Sequence, residues 1–213
     1  VNSFYKIIDS NEEEVKEILQ NINQFYYEYY KLKSDRVSRR YFNPSIKKLK
    51  DIQNKIQTRI LQKVKLVPNV LGGVKGFGNV DNAFVHSQNS FFFQTDLTGF
   101  FPSVSRNMVV NALIPKGFSI KVAELITSLC VLSTKDGHRI ETLPQGAPTS
   151  PMLANIVFEK VDKEILVLIE NVNITYTRWI DDLTFSSKTD FSEKNIEILK
   201  IIASRGFKVS RRK

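Results

Sequence analysis

Ile174-Thr-Tyr-Thr-Arg-Trp-Ile-Asp-Asp-Leu-Thr-Phe-Ser186 consists of two β-rich runs that meet at a pair of acids, Asp181 and Asp182. Branched and aromatic residues dominate both runs, 174–180 and 183–186, which predicts two short strands joined at the acids. Adjacent carboxylates repel, and they are costly on a strand packed into a core unless something positive holds them. A hard divalent cation such as Mg²⁺ would do so, because it takes one or two carboxylates together with substrate phosphates. Read alone, the pair fits a metal site and a solvated turn equally well.

A second acid stands upstream in Ser90-Phe-Phe-Phe-Gln-Thr-Asp-Leu-Thr-Gly-Phe-Phe-Pro-Ser-Val104. An aromatic strand runs into Asp96, and a Gly/Pro-marked turn then leads toward a helix. Alone, Asp96 reads as a strand-end or cap residue. If its strand pairs with the Asp181–Asp182 hairpin, three carboxylates converge on a space for two cations ~3.5–4 Å apart, the arrangement used for in-line phosphoryl transfer.

The order of motifs resembles the reverse transcriptases of prokaryotic, retron/group II intron type. Thr95-Asp-Leu-Thr-Gly-Phe-Phe101 is similar to polymerase motif A, and Leu143-Pro-Gln-Gly-Ala-Pro-Thr-Ser-Pro-Met-Leu-Ala-Asn155 to motif B. Trp179-Ile-Asp-Asp182 is similar to motif C, and Gly206-Phe-Lys-Val-Ser-Arg-Arg-Lys213 to the start of motif D. Arg39-Arg-Tyr-Phe-Asn-Pro44 and Leu49-Lys-Asp-Ile-Gln53 resemble the fingers motifs, while Asn82-Ala-Phe-Val-His86 matches an element of the retron-type enzymes. The sequence departs from the family's usual Tyr-Ala-Asp-Asp at Trp179 and Ile180. Both acids are kept, but Ile180 crowds the place where such enzymes hold the primer end. The chain ends on Lys213 and does not begin with Met, so a fragment lacking the thumb is expected.

The resemblance implies an α+β right-hand polymerase fold, with fingers over residues 1–89, palm over 90–213 and the thumb outside this chain. It implies RNA-directed DNA synthesis, in which a primer 3′-hydroxyl attacks the α-phosphate of a dNTP opposite an RNA template. Two Mg²⁺ ions, with Mn²⁺ as a substitute, would be bridged by Asp96 and Asp181, with the Leu97 carbonyl as a further ligand and Asp182 as a ligand or supporting acid. Arg39 would meet the triphosphate, Phe101 the nucleotide sugar, Gln145 and Gly146 the templating base and incoming nucleotide, and Lys213 the pyrophosphate leaving group. The expected partners are an RNA template, a DNA or RNA primer, dNTPs and a structured noncoding RNA, with a link to phage defence. Two rival readings are a defence-type relative making untemplated or protein-primed DNA, and a non-catalytic RNA-binding module. The intact acids argue against the second.

Composition agrees with a polyanionic partner. The 213 residues are 42% hydrophobic and 25% charged, with a formal net charge of +9. Lys and Arg in excess neutralise phosphates and release their counterions. The single cysteine, Cys130, excludes an intrachain disulfide and a Cys-rich zinc site, and it reads as a small buried hydrophobe. No stretch approaches the ~18 apolar residues of a membrane span and no signal peptide opens the chain, which makes the cytoplasm the expected location.

Along the chain, residues 11–33 read as one helix with an acidic first turn, followed by a basic extended segment and a helix opened by Pro44 and Ser45. The Phe25-Tyr-Tyr-Glu-Tyr-Tyr30 run fits core packing better than base stacking. Gly72-Gly-Val-Lys-Gly-Phe-Gly78 lacks the spacing of a phosphate loop and reads as a flexible connection. His86, on a short helix, reads as structural. Helices are expected over 105–113 and 119–132, then a hairpin at Asp136-Gly137. Thr149 or Ser150 is expected to cap a long helix to about Asn171, and Ser192 a last one that Gly206 ends before a final strand.

Overall fold

Residues 1–32, 35–133 and 140–210 are described by the computed structural model of the chain. Two short helices, α1 (Asn2–Ile7) and α2 (Glu12–Gln20), come first. Asn11 caps α2 by accepting the Glu14 amide at 2.8 Å, and Glu12, Glu13 and Glu14 set negative charge at the positive end of its dipole. The helix expected over 11–33 stops at Gln20. A 3₁₀ turn (Ile22–Phe25) follows, and then an antiparallel hairpin of β1 (Tyr29–Leu32) and β2 (Arg39–Phe42). Aromatics spaced all round cannot be buried by one helical stripe, whereas a strand accepts them on both faces. Phe25 and Tyr26 pack on the core, while Tyr27, Tyr29 and Tyr30 stay exposed, so core packing accounts for only part of that run.

α3 (Lys47–Arg59) buries Leu49, Ile52, Gln53 and Ile56. Ser45 does not cap it. Its hydroxyl instead donates to Gln53 Oε1 at 2.6 Å, and Gln53 Nε2 donates to the Tyr26 hydroxyl and the Leu129 carbonyl at 2.8 and 2.7 Å. After α4 (Asn79–Val85) come β3 (Phe91–Asp96), α5 (Phe100–Ser103), α6 (Arg106–Leu113) and α7 (Ile120–Cys130), with Ser105 and Ser119 capping α6 and α7. β4 (Leu132–Ser133) pairs with β5 (Glu141–Thr142); the turn expected at Asp136-Gly137 lies outside the described residues. Neither Thr149 nor Ser150 caps α8 (Ser150–Ile169) through its side chain, because the Ser150 hydroxyl is turned to the Pro144 carbonyl at 2.7 Å.

β6 (Thr175–Trp179) and β7 (Asp182–Ser187) form the expected hairpin, and β3 pairs with β7, giving an antiparallel sheet of order β3-β7-β6. α9 (Lys194–Ser204) follows, and Ser192 does not cap it, since the helix starts two residues further on. Gly206, with φ of +83°, turns the chain back along the sheet edge. There the Thr98 amide donates to the Lys208 carbonyl at 2.7 Å and the Ser210 amide to the Asp96 carbonyl at 2.8 Å. The mixture of helices and antiparallel sheets is an α+β fold.

α8, 20 residues long and buried along most of its length, is the spine of the core. Phe158 at its middle meets Phe100 edge-on at 5.6 Å and Phe207 at 4.9 Å, while Arg178 of β6 lies over its ring at 4.8 Å. One hydrophobic cluster runs from Phe4 to Phe207 and so joins the N-terminal helices to the sheet. Phe158→Ala should lower the folding free energy by about 3–5 kcal/mol, read as a shift in the urea midpoint with unchanged slope.

Candidate active site

Strand pairing gathers the acids. Asp96, the last residue of β3, lies directly opposite Asp182, the first of β7, and the Leu97 amide donates to the Asp181 carbonyl at 2.9 Å. Asp181 occupies the turn between β6 and β7. Burial pushes its carboxyl above the usual range, and the negative charges of Asp182 and Asp96 push the same way; a hydrogen bond from its own backbone and the Arg40 charge oppose them. The acids therefore share one strand end and one field. Among the described residues, however, no three His, Cys, Asp or Glu side chains are drawn together closely enough to hold a metal ion. The donor chemistry fits a hard cation all the same, since burial and the charges of Asp182 and Asp96 raise the cost of ionising Asp181 and a cation would relieve it.

Ile180, just before the acids, has φ of +58°. For a β-branched residue this left-handed conformation costs on the order of 1–2 kcal/mol. Beneath it lies the fully buried Arg178, which donates from Nε and Nη2 to the two Asp162 oxygens at 2.9 and 2.7 Å. Its Nη1 donates to Asn155 Oδ1 at 2.7 Å and to the Ile180 carbonyl at 2.8 Å. Against the other side of the turn lies Gly72. A Cβ there would stand 2.5 Å from the Ile180 nitrogen, and its carbonyl accepts the Asn155 amide at 2.8 Å. At Gly72 the glycine-rich stretch is thus a close packing contact, not the flexible connection expected: the missing Cβ is needed for backbone to lie on backbone.

His86 supports the far end of the hairpin. The Thr177 hydroxyl donates to Asn82 Oδ1 at 2.7 Å, so His86 Nε2–H must donate to Thr177 Oγ1 at 2.7 Å, leaving Nδ1 to accept from Ser186 Oγ at 2.6 Å. Burial lowers its pKa, in keeping with this neutral, structural ring. A cleft of about 410 Å³ opens between α4 and the sheet beside Asp182, lined by Asn79, Asn82, Gln94, Trp179 and Thr184.

The other candidates among the described residues lie on separate elements. Arg39, on the exposed β1–β2 hairpin, has its guanidinium 4.3 Å over the Tyr30 ring. Its neighbour Arg40, a basic residue of the same motif, is a cation whose charge acts on Asp181. Phe101 is half-buried beside Phe100 at 5.9 Å. The Gln145 carbonyl accepts the Asn43 amide at 2.7 Å, and exposed Gly146, with φ of +103°, faces Pro44. Leu97 is buried. Lys213 lies outside the described residues. Cys130 is buried as expected, its thiol pushed up to about 12 by desolvation.

Residues 31–213 match the family described as reverse transcriptase (RNA-dependent DNA polymerase), and the chain belongs to it. Its similarity is to retron-type members. It is 31% identical over 166 residues to the Retron Ec86 reverse transcriptase of Escherichia coli, covering 78% of this chain and 47% of that protein. It is 30% identical over 190 residues to the Retron Se72 reverse transcriptase of Salmonella heidelberg, covering 88% and 47%. For the Retron Mx65 reverse transcriptase of Myxococcus xanthus the identity is 30% over 180 residues, covering 78% and 42%. The chain spans about half the length of these relatives. Among the described residues no helix is long and apolar enough to cross a membrane.

A raised pKa means that the folded protein binds the Asp181 proton more tightly than the unfolded chain does. Its contribution to stability is full below the unfolded value of 3.8 and is lost as pH rises through the folded value. Asp181→Asn should accordingly raise the urea midpoint at pH 7, with the advantage over wild type vanishing toward pH 4. If the substituted protein is no more stable than wild type at pH 7, the acid is not strained by its burial and its acidic neighbours.

Proposed function

We propose that this chain carries the fingers (residues 1–89) and palm (residues 90–213) of an RNA-directed DNA polymerase of retron type. The observation that carries the reading is the β3–β7 register, which sets Asp96 against Asp182 and ties Leu97 to the Asp181 backbone. A primer 3′-oxygen attacks the α-phosphorus of a dNTP; the new P–O bond forms as the bond to pyrophosphate breaks, and the hydroxyl proton leaves to solvent. Asp96, Asp181 and the Leu97 carbonyl would hold two Mg²⁺ ions, or Mn²⁺ in their place, with Asp182 as a further ligand or supporting acid. Bound there, these ions neutralise the charge that builds on the attacking and leaving oxygens.

The chain's own residues do the positioning. Arg39 and Arg40 project from the two faces of one strand beside the acids and supply positive charge for the triphosphate, with Lys213 available to the departing pyrophosphate. Phe101 packs under the sugar, where a 2′-hydroxyl would collide with its ring. Gln145 and Gly146 sit on a loop held against the Asn43-Pro44 segment, which joins the nucleotide pocket to the β1–β2 hairpin. Ile180 presents its side chain to the primer end. The template is RNA, the primer DNA or RNA, and a structured noncoding RNA is the partner that the retron relatives suggest; the cytoplasm is where these would be met.

In the full-length protein, Asp181→Asn should abolish dNTP incorporation on a primed RNA template while RNA binding in a filter assay changes little. Sequencing the wild-type product decides between templated and untemplated synthesis, and a homopolymer would sink the templated reading. Phe101→Ala should raise ribonucleotide relative to deoxyribonucleotide incorporation, because discrimination by collision is lost when the ring is removed. An unchanged ratio would leave Phe101 as a palm-core residue and nothing more.

A further inference from the structure

We infer that Arg178 is a positioning residue for the metal-binding acids: through Nη1 it holds the Ile180 carbonyl, and so keeps the strained turn that aims Asp181 and Asp182. This rests on the polymerase reading of those acids. Arg178 sits three residues before Asp181 and touches no reacting group. Its place in the fold is unusual, since a guanidinium with no solvent exposure must spend its hydrogen bonds within the protein.

Two arms of the fork are fixed by Asp162, at 2.9 and 2.7 Å, and Asp162 is in turn fixed by the Tyr176 hydroxyl at 2.7 Å. The third arm is thereby aimed, and it reaches the Ile180 carbonyl at 2.8 Å. Asn155 shares that nitrogen at 2.7 Å and with its own amide holds the Gly72 carbonyl at 2.8 Å. Gly72 lies against the Ile180 nitrogen, and the Gly72 and Leu71 amides both donate to the Arg178 carbonyl, at 3.2 and 3.0 Å. The peptide groups on both sides of Ile180 are thus gripped by one buried network anchored on α8. A left-handed isoleucine has no intrinsic reason to stay in that conformation, and a network of this kind supplies one.

A purely structural ion pair would alter stability and leave the acids' performance alone. A positioning role predicts a change in metal affinity and turnover, with little change in nucleotide KM. In the full-length protein, Arg178→Lys keeps a charge for Asp162 but loses the planar fork that reaches Ile180. It should weaken Mn²⁺ binding, measured by electron paramagnetic resonance without substrate, and lower kcat, each by roughly tenfold. Asn155→Ala keeps the Arg178–Asp162 pair, frees the shared nitrogen and cuts the link to Gly72, and it should show the same signature more weakly. Ile18→Ala, a cavity in the remote α2 contact, provides a destabilised control with Mn²⁺ affinity and kcat intact.

Glycine adopts the left-handed conformation without cost. In an Ile180→Gly background the loss caused by Arg178→Lys should therefore shrink severalfold. The inference is overturned if Arg178→Lys and Asn155→Ala behave like Ile18→Ala, losing stability but neither metal affinity nor turnover. It is overturned equally if the Arg178→Lys loss is undiminished with glycine at 180. Should Arg178→Lys not fold, Asn155→Ala decides by the same two readouts. Asp181→Asn separates the layers: if it remains active, the polymerase reading of the acids fails, whereas an inactive Asp181→Asn beside a fully active Arg178→Lys removes only the role given to Arg178.

Discussion

The buried pair of Arg178 and Asp162 is the constraint on which the rest of this structure depends. Both side chains are fully withdrawn from water, which is costly for each charge, and the pair persists because almost every polar atom has a partner. Burial works against the Arg178 charge, but the Asp162 carboxylate outweighs it, so the guanidinium is held even more firmly cationic than usual. The same burial drives the Tyr176 hydroxyl well above its ordinary pKa, keeping it a donor to Asp162. The pair is a junction as well as a contact. It links α8, strand β6, the segment running along β6 near Val70 and the turn before the acids. Replacing it with apolar side chains could leave the fold as stable, yet would remove the directional bonds that define the turn.

Above that junction the chemistry is arranged at the expense of stability. Asp181 is half-buried beside two other acids, and Ile180 is in a conformation that its side chain disfavours. A basic, aromatic hairpin with Lys31, Arg39 and Arg40 stands exposed beside them, its Tyr29 and Phe42 rings stacked at 5.0 Å and Tyr27 stacked on Tyr29 at 5.8 Å. Like charges held together, strained backbone and exposed aromatics are each unfavourable for a chain that has only to fold. Their coincidence at one sheet end makes sense if a polyanion and cations complete the site. The large continuous core below, centred on Phe158, tolerates that local cost.

How much of this was legible in the sequence depended on whether the signal was periodic or relational. The β6–β7 hairpin and β3 were readable because alternation and acids at strand ends are local patterns, and the helices after Ser105 and Ser119 because their caps are local too. The β1–β2 hairpin is not legible, since an acidic helix start and a run of tyrosines read as one continuous helix. Arg178 carried no signal. An arginine in a short alternating strand reads as solvent-facing, and only the partner at Asp162, on a different element, reverses that. The close approach at Gly72 is hidden for the same reason. Its neighbour is Ile180, more than a hundred residues away in sequence, and spacing within a glycine-rich stretch says nothing about such an approach.

The sheet register is what turns these separate features into a site. Side chains alternate between faces, so the pairing of Asp96 with Asp182, and of Asp182 with Trp179, places all three on the same face. Tyr176, Arg178, Leu183 and Phe185 take the opposite face, toward α8, where the Tyr176 and Phe185 rings stack at 4.5 Å. A slip of one residue would drive an acid into that core and bring a core residue out. Two devices at opposite ends of the hairpin oppose the slip. At the acid end it is the grip of Arg178 on the Ile180 carbonyl. At the other end it is neutral His86, which accepts from Ser186 of β7 and donates to Thr177 of β6, and so joins the two strands through a ring of fixed length. Each device works only in one register of β6 on β7, the register that sets Trp179 opposite Asp182.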